Sequence, residues 1–386
     1  PVKSQEEIIR SSDIPEEMMD PLIRDFRSLI LYNLETSGAV LTTDNQVKIY
    51  TDGQAKFEGL RTALRRASRF IHIQYYIIKN DEVFDSIVPI LEDKVREGVE
   101  VRILYDGMGG RFMPKRRWEE LRRAGILVGV FFPPILGWLN LRVNYRNHRK
   151  IVVIDGNVGF VGGFNIGREY ISKDPGFGYW RDTHLRITGE AVMSLQIRFA
   201  LDWNYATGEN LFKNEAYFRT DLKKKTDVRR DKERPAWPDP ELEGSQVGMQ
   251  IIASGPDTRE PHIRNNYLEL FHKAKHHIYI QTPYFVPDDA IFSALKMAAL
   301  SGVDVRLMIP CKPDHPFVYR ATCSYAGELL DYGAKVYIYT NGFLHSKGIM
   351  VDGRVCCYGT ANMDIRSFEL NFEVNATIYD EAVTAE

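Results

Sequence analysis

The chain has 386 residues, 44% of them apolar and 26% charged, an ordinary globular composition large enough for two domains or one bilobal unit. Its formal net charge of −2 argues against a nucleic-acid binder, which would have to neutralise many phosphates. No apolar run reaches the roughly 18 residues of a membrane-spanning helix, and the four cysteines, all in the second half, lack metal-site spacing.

Residues 1–47 include Met18-Met19 and Leu29-Ile30-Leu31-Tyr32 and read as helices packed on a lobe, without chemistry of their own. From residue 48 an alternating plan begins. A helix at about 55–69 leads to a buried strand, Ile71-His72-Ile73-Gln74-Tyr75-Tyr76. A second helix at 83–97, a strand at 98–104, a further helix and a strand at 127–131 follow. Strands alternating with amphipathic helices predict an α/β lobe with a largely buried sheet. His148 follows Phe131 by 17 positions, whereas His345 follows the corresponding Tyr339 by 6, so residues 132–142 are an insertion. It is too short to span a bilayer. Phe132, Leu136 and Trp138 suit the acyl–headgroup boundary, with Arg142 at phosphate depth, so these four residues are expected to contact a membrane; a loop folded into the core is the other reading.

The insertion runs into His148-x-Lys150-x4-Asp155, whose β-branched interior predicts a buried strand ending in an Asp-Gly turn. Side chains two apart share a strand face, so His148 and Lys150 project together. Gly162-Gly163-Phe164-Asn165 and Trp180-Arg181-Asp182-Thr183-His184 complete a first lobe over residues 48–218. Residues 219–245, with Lys223-Lys224-Lys225 and Arg229-Arg230, read as a charged inter-lobe linker: either a solvated loop or a basic grip on anionic headgroups. Residues 246–386 repeat the plan as a second lobe, with helices at about 265–276 and 290–299 and strands at 278–283, 302–308 and 335–339. That lobe ends in His345-x-Lys347-x4-Asp352, Gly359-Thr360-Ala361-Asn362 and Glu373. The second motif stands 197 positions after the first, from 148 to 345 and again from 165 to 362, so one unit occurs twice. The expected fold is two similar α/β lobes about a pseudo-two-fold axis, with the paired motifs at the seam.

An imidazole beside an ammonium suits a phosphate. The lysine holds non-bridging oxygens as a point charge, while the histidine attacks phosphorus or moves a proton. Two histidines imply divided labour: one attacks, the other protonates the departing alcohol and then deprotonates the incoming one. Asn165 and Asn362 add neutral donors for the same oxygens. Paired histidines also occur at metals, but a lysine two residues from each repels a cation and no carboxylate cluster accompanies them, so neither metal nor other cofactor is expected.

These tracts resemble the phospholipase D superfamily at every defining position of its double His-Lys-Asp motif, over nearly the whole chain. Within it the chain is most similar to bacterial cardiolipin synthases, through Asn147-His148-Arg149-Lys150, the tract from Trp180 to His184, Ser254-Gly255-Pro256-Asp257 and Gln281-Thr282-Pro283-Tyr284-Phe285-Val286-Pro287. The resemblance implies a catalytic set of His148, Lys150, Asp155, His345, Lys347 and Asp352, with His148 as nucleophile in a phosphohistidine mechanism and His345 as acid, then base. It also implies Asp182 and Glu373 as the carboxylates that orient the histidines; surface or salt-bridge acids are the other reading of these two. Asp155 and Asp352 precede glycine at a strand-to-turn junction and read as structural despite their place in the signature.

The reaction implied is transphosphatidylation between two phosphatidylglycerol molecules, yielding cardiolipin and glycerol at the cytoplasmic face of a bacterial membrane. A hydrolytic phospholipase D or phosphodiesterase is the alternative, followed by a nuclease. An inactive scaffold for anionic lipid is disfavoured because neither motif copy is degraded. The start at Pro1 reads as a fragment whose membrane helices lie outside it. Cys356-Cys357, on an apolar strand, read as buried free thiols on the reducing side of that membrane.

Overall fold

A computed structural model describes residues 20–133, 144–218 and 246–385. Two helices come first, α1 (Pro21–Asp25) and α2 (Arg27–Ser37), the former opened by the Asp20 carboxylate, which accepts from the N–H groups of Leu22 and Ile23. The first lobe runs β1 (Asn45–Asp52), α3 (Gly53–Arg65), β2 (Phe70–Tyr75), α4 (Glu82–Asp85), α5 (Val88–Arg96), β3 (Glu100–Asp106), α6 (Lys115–Arg123), β4 (Leu127–Phe131), β5 (Arg146–Asn147), β6 (Ile151–Ile154), β7 (Val158–Gly162), β8 (Trp180–Gly189) and α7 (Ala191–Thr207). The second runs β9 (Gly248–Ser254), α8 (His262–Lys273), β10 (His277–Gln281), β11 (Phe285–Val286), α9 (Asp289–Leu300), β12 (Asp304–Pro310), α10 (Pro316–Leu330), β13 (Lys335–Tyr339), β14 (Phe343–Leu344), β15 (Gly348–Val351), β16 (Val355–Gly359), β17 (Met363–Asp364), α11 (Ile365–Glu369), β18 (Asn371–Tyr379) and α12 (Glu381–Ala385).

Both halves use one strand order. The first sheet reads β1-β8-β7-β6-β2-β3-β4 and the second β9-β18-β16-β15-β10-β12-β13. In each, three strands are parallel and the motif strand lies antiparallel beside the first of them, with Ile73 opposite Val152 and Ile280 opposite Ile349. The repeat read from the sequence is therefore a duplicated α/β fold. All four residues of β6 are buried, as expected for a strand covered on both faces.

The lobes are less independent than their sequence boundaries suggest. One core cluster joins Leu195, Phe199 and Trp203 of α7 to Ile151 and Val153 of β6 and to Phe372, Val374 and Ile378 of β18. Strand β5, from the first lobe, adds in parallel to β18 of the second, and β14 adds in parallel to β8 of the first. Each lobe thus lends the other a two-residue strand immediately before its own histidine.

Some expected boundaries move for identifiable reasons. The helix expected at 83–97 is broken into α4 and α5, because Pro89 lacks an N–H and sits in the first turn of the second piece, where that loss is tolerated. The helix expected to reach residue 69 stops at Arg65, since residues 68–70 turn inward to donate their N–H groups to Asp155. Strand β1 starts at Asn45, so the lobe boundary expected at residue 48 falls inside it. The linker at 219–245 and residues 134–143 of the insertion region lie outside the described residues.

The amino-terminal helices pack on the second lobe, more distant in sequence than the first. Phe26, Leu29 and Ile30 enter a cluster with Ile263, Tyr267 and Leu270 of α8. Asn33, 1% exposed, donates from Nδ2 to Gln250 Oε1 at 3.2 Å and to Asn266 Oδ1 at 2.9 Å. Removing one partner of a buried polar set costs roughly 1–3 kcal/mol. Asn33→Ala should therefore lower unfolding stability by about that amount in urea titrations; an unchanged midpoint would mean that α2 does not depend on this contact.

Candidate active site

Between β5 and β6, and again between β14 and β15, the backbone is released from its borrowed ladder for three residues, and each release carries a His-x-Lys triplet. The His148 N–H donates to the Phe372 carbonyl at 3.0 Å, and the His345 N–H to the Arg181 carbonyl at 2.7 Å. Each acceptor immediately precedes a carboxylate residue, and that register decides the rest. His148 Nδ1 lies 3.0 Å from both oxygens of Glu373, and His345 Nδ1 lies 2.6 Å from Asp182 Oδ2. The pairing is crossed: each histidine is held by a carboxylate from the opposite lobe.

The carboxylates are themselves held. Glu373 accepts from Asn371 Nδ2 at 3.1 Å, and Asp182 accepts from its neighbour's N–H, Thr183, at 2.8 Å. The small-residue turn has a reason here: a Cβ on Gly163 would come within 1.9 Å of Asp182 Oδ1, so only glycine lets the chain pass over that carboxylate.

Electrostatics follow from burial. Burial pushes the His148 imidazole down to about 4, with Glu373 opposing the fall. His345 is also lowered, by burial and by the charge of Lys347, against the pull of Asp182. Burial alone would raise Glu373 and Asp182, yet the adjacent histidines and lysines hold both below the usual carboxylate range. The resulting state is a neutral imidazole donating Nδ1–H to an ionised carboxylate. In that tautomer the lone pair is on Nε2.

The lysines behave alike. Lys150 Nζ donates to the His148 carbonyl at 2.5 Å, and Lys347 Nζ donates to the His345 carbonyl. Lys347 Nζ also stands 2.7 Å from His345 Nδ1 and 3.7 Å from Asp182 Oδ2. Because Asp182 takes the Nδ1 proton, that closer approach is a contact rather than a donation. Burial lowers both ammonium groups, Lys150 well below the usual lysine range. A phosphodiester anion arriving between them would favour their charged form.

The remaining residues expected at the site divide. Asn362 is 6% exposed and its Oδ1 has no hydrogen-bond partner among the described residues. Asn165 is more committed, accepting from the Ile77 N–H at 3.0 Å and donating to Tyr170 Oη at 3.0 Å. Asp155 and Asp352 are not brought to the site. Each lies past the far end of its four-residue strand, which alone puts roughly 13 Å of extended chain between it and the His-x-Lys triplet. Asp155 accepts from Ser68, Arg69 and Phe70 N–H groups and Asp352 from Lys275, His276 and His277, all at 2.8–2.9 Å, so both pin the turn entering the neighbouring strand. Of the residues expected at a membrane, Leu136, Trp138 and Arg142 lie outside the described residues. Phe132 is half-buried, its ring against Phe131 and Phe372.

Sequence reasoning missed several neighbours. Arg149, an unassigned position within the motif, is fully buried and spans the lobes: NH1 pairs with Asp202 at 2.7 Å, NH2 donates to the Ser254 carbonyl at 3.0 Å and Nε to the Glu373 carbonyl at 3.1 Å. The available signal was Asp202 itself, a charge inside the apolar stretch of α7. Tyr76 stands edge-on to His148 with centroids 5.1 Å apart, and Trp180 lies 5.0 Å from His345. Among the described residues, no group of three or more His, Cys, Asp or Glu could hold a metal ion.

Comparison with known proteins places this geometry in a family. The PLD-like domain of cardiolipin synthase matches the chain twice, over residues 60–177 and 267–386. The chain is 46% identical over 382 residues to the cardiolipin synthase of Oceanobacillus iheyensis, covering 99% of this chain and 75% of that protein. It is 51% identical over 359 residues to the cardiolipin synthase of Staphylococcus aureus, covering 93% and 69%. The phosphatidylserine synthase structure of Haemophilus influenzae shares the fold, with a TM-score of 0.62 at 16% identity, covering 88% of this chain and 83% of that one.

The crossed carboxylates yield a test. Glu373→Gln and Asp182→Asn preserve shape but free the imidazole tautomer, so each should cut turnover by about 10²- to 10⁴-fold with folding intact. Steady-state rates beside circular dichroism check this, and a loss under about tenfold in both would contradict the orienting role.

Proposed function

Because the chain belongs to the phospholipase D-like cardiolipin synthase family, we propose that it joins two phosphatidylglycerol molecules into cardiolipin and glycerol through a phosphohistidine. The crossed histidine–carboxylate pairs carry the reading. They hold both imidazoles by Nδ1, which leaves Nε2 of each for the chemistry of a double displacement at phosphorus.

In this scheme His148 Nε2 attacks phosphorus. Its low proton affinity keeps the lone pair free, and Glu373 takes up the positive charge that develops on the ring. His345 has the closer carboxylate, and the phosphodiester's own charge favours its protonated form, so His345 Nε2–H protonates the departing glycerol. The neutral His345 then deprotonates a hydroxyl of the second phosphatidylglycerol, which attacks the phosphohistidine. Lys150, Lys347 and Asn362 line the equatorial oxygens, with Asn165 bracing the turn beside them. Water in place of the second lipid would give phosphatidic acid.

The lipid reaches this seam at a membrane surface. No helix among the described residues is long and apolar enough to cross a bilayer, and the insertion at 132–142 is the proposed interfacial contact.

Product analysis tests the reaction. Phosphatidylglycerol in mixed micelles should yield cardiolipin and glycerol, with added glycerol driving the reaction back; phosphatidic acid as the dominant product would favour the hydrolase. Acid-quenched mass spectrometry should find a phosphatidyl adduct on His148 in the His345→Ala protein, and an adduct on His345 in His148→Ala would reverse the roles. With His148 lowered to about 4, the adduct-forming step should hold its rate as pH falls from 7 to about 5 and lose it through 4, where the nucleophile becomes protonated. A loss centred near 6.5, measured by rapid quench, would show an unperturbed histidine.

A further inference from the structure

The pseudo-two-fold that relates the motifs breaks at the mouth of the seam. Beside His148, the turn after β3 packs on Tyr76 so closely that a Cβ on Gly109 would meet the Tyr76 carbonyl at 1.8 Å. The charges of Arg146, Arg366 and Arg111 all bear on that tyrosine, opposing burial and Asp106. This half of the mouth is cationic.

Beside His345 the loop after β12 supplies a carboxylate instead. The Tyr284 hydroxyl donates to Asp314 Oδ2, and the Tyr284 ring stands edge-on to His345, with centroids 6.4 Å apart at 86°. The charge of Asp314 reaches both His345 and Lys347. Lys312, the nearby cation of the loop, is turned away and donates to the Gly176 carbonyl at 3.0 Å. Tyr319 braces the loop by donating its hydroxyl to the Cys311 carbonyl at 3.1 Å. Asp314 itself is half-buried, with one oxygen engaged by Tyr284 and acceptor capacity remaining.

A carboxylate at the edge of a phosphate site repels the phosphate, so its place demands a reason. Its neighbour is the histidine that exchanges a proton with the headgroup alcohol. In an in-line displacement the departing alcohol leaves from that side and the attacking alcohol enters there, so headgroup hydroxyls face Asp314 twice in a turnover. An ionised carboxylate accepts from hydroxyls and offers two oxygens to two of them. We infer that Asp314, held by Tyr284, forms a polyol subsite that binds the vicinal hydroxyls of a glycerol headgroup, first as leaving group and then as acceptor. The inference rests on the transferase reading above. In the second step the glycerol oxygen bonds to phosphorus, the P–N bond to His148 breaks, and the hydroxyl proton passes to His345 Nε2.

The test is a competition among acceptors. The whole chain is given phosphatidylglycerol in mixed micelles together with isotope-labelled glycerol, methanol and ethanolamine, and the phosphatidyl products are counted by mass spectrometry. The unsubstituted protein should prefer glycerol to methanol, and Asp314→Asn should reduce that ratio by about tenfold, as expected for loss of hydrogen bonds to a charged group. Tyr284→Phe should shift the ratio in the same direction, and it reads the same quantity if Asp314→Asn folds poorly. A general structural fault slows all acceptors together and leaves the ratio unmoved. An unmoved ratio in both variants overturns the subsite. So does a loss confined to ethanolamine, which would make Asp314 a partner for an ammonium. Phosphatidic acid as the sole product of the unsubstituted protein, whatever the acceptor, overturns the transferase reading itself.

Discussion

The reciprocal loan of two short strands organises this molecule. Because β5 pairs with β18 and β14 with β8, the backbone N–H of each histidine is tied to the residue preceding a carboxylate on the other lobe. Two hydrogen bonds, at 3.0 and 2.7 Å, thereby set the register that brings Nδ1 of His148 to Glu373 and Nδ1 of His345 to Asp182. Neither motif histidine takes its carboxylate from its own lobe. The shared core around α7 and the Arg149 bridge to Glu373 and Ser254 hold the lobes in the relation that this pairing needs.

Burial converts that geometry into reactivity. Taking the histidines out of water keeps them neutral, while the lysines and the Nδ1 donors keep the carboxylates ionised, so each imidazole is fixed in one tautomer with one free lone pair. The surroundings then distinguish two chemically similar copies. Beside His148, Tyr76 feels the charges of Arg146, Arg366 and Arg111, whereas beside His345 the charge is that of Asp314. A duplicated scaffold supplies two similar histidine–carboxylate pairs, and local departures from its symmetry give them different surroundings.

Much of this was legible in the sequence because the repeat is chemical as well as structural. The His-x-Lys spacing before an apolar strand, copied at a fixed interval, led to the α/β duplication; β6 and β15 lie where that apolar stretch predicts, though each His-x-Lys triplet stands just ahead of its strand rather than on it. What could not be read depended on contacts between residues hundreds of positions apart. That Glu373 serves His148, rather than the histidine of its own lobe, follows from strand exchange, and two-residue strands carry no periodicity to detect. The packing of α2 on the second lobe is equally invisible, since an amphipathic face does not name its partner. Asp155 and Asp352 show the opposite problem: they belong to the repeated signature, yet they serve the backbone of a turn. Repetition alone does not separate catalysis from the fold that carries it.

The claim on which the account turns is the crossed pairing, and ¹⁵N NMR of selectively labelled histidine measures it most directly. At neutral pH, His148 and His345 should both appear as neutral rings protonated at Nδ1. Glu373→Gln should alter the His148 signals and leave those of His345 in place, with Asp182→Asn doing the converse. If each substitution instead perturbs the histidine of its own lobe, or if the rings carry their proton on Nε2, the lobes do not build the site from each other and the account fails.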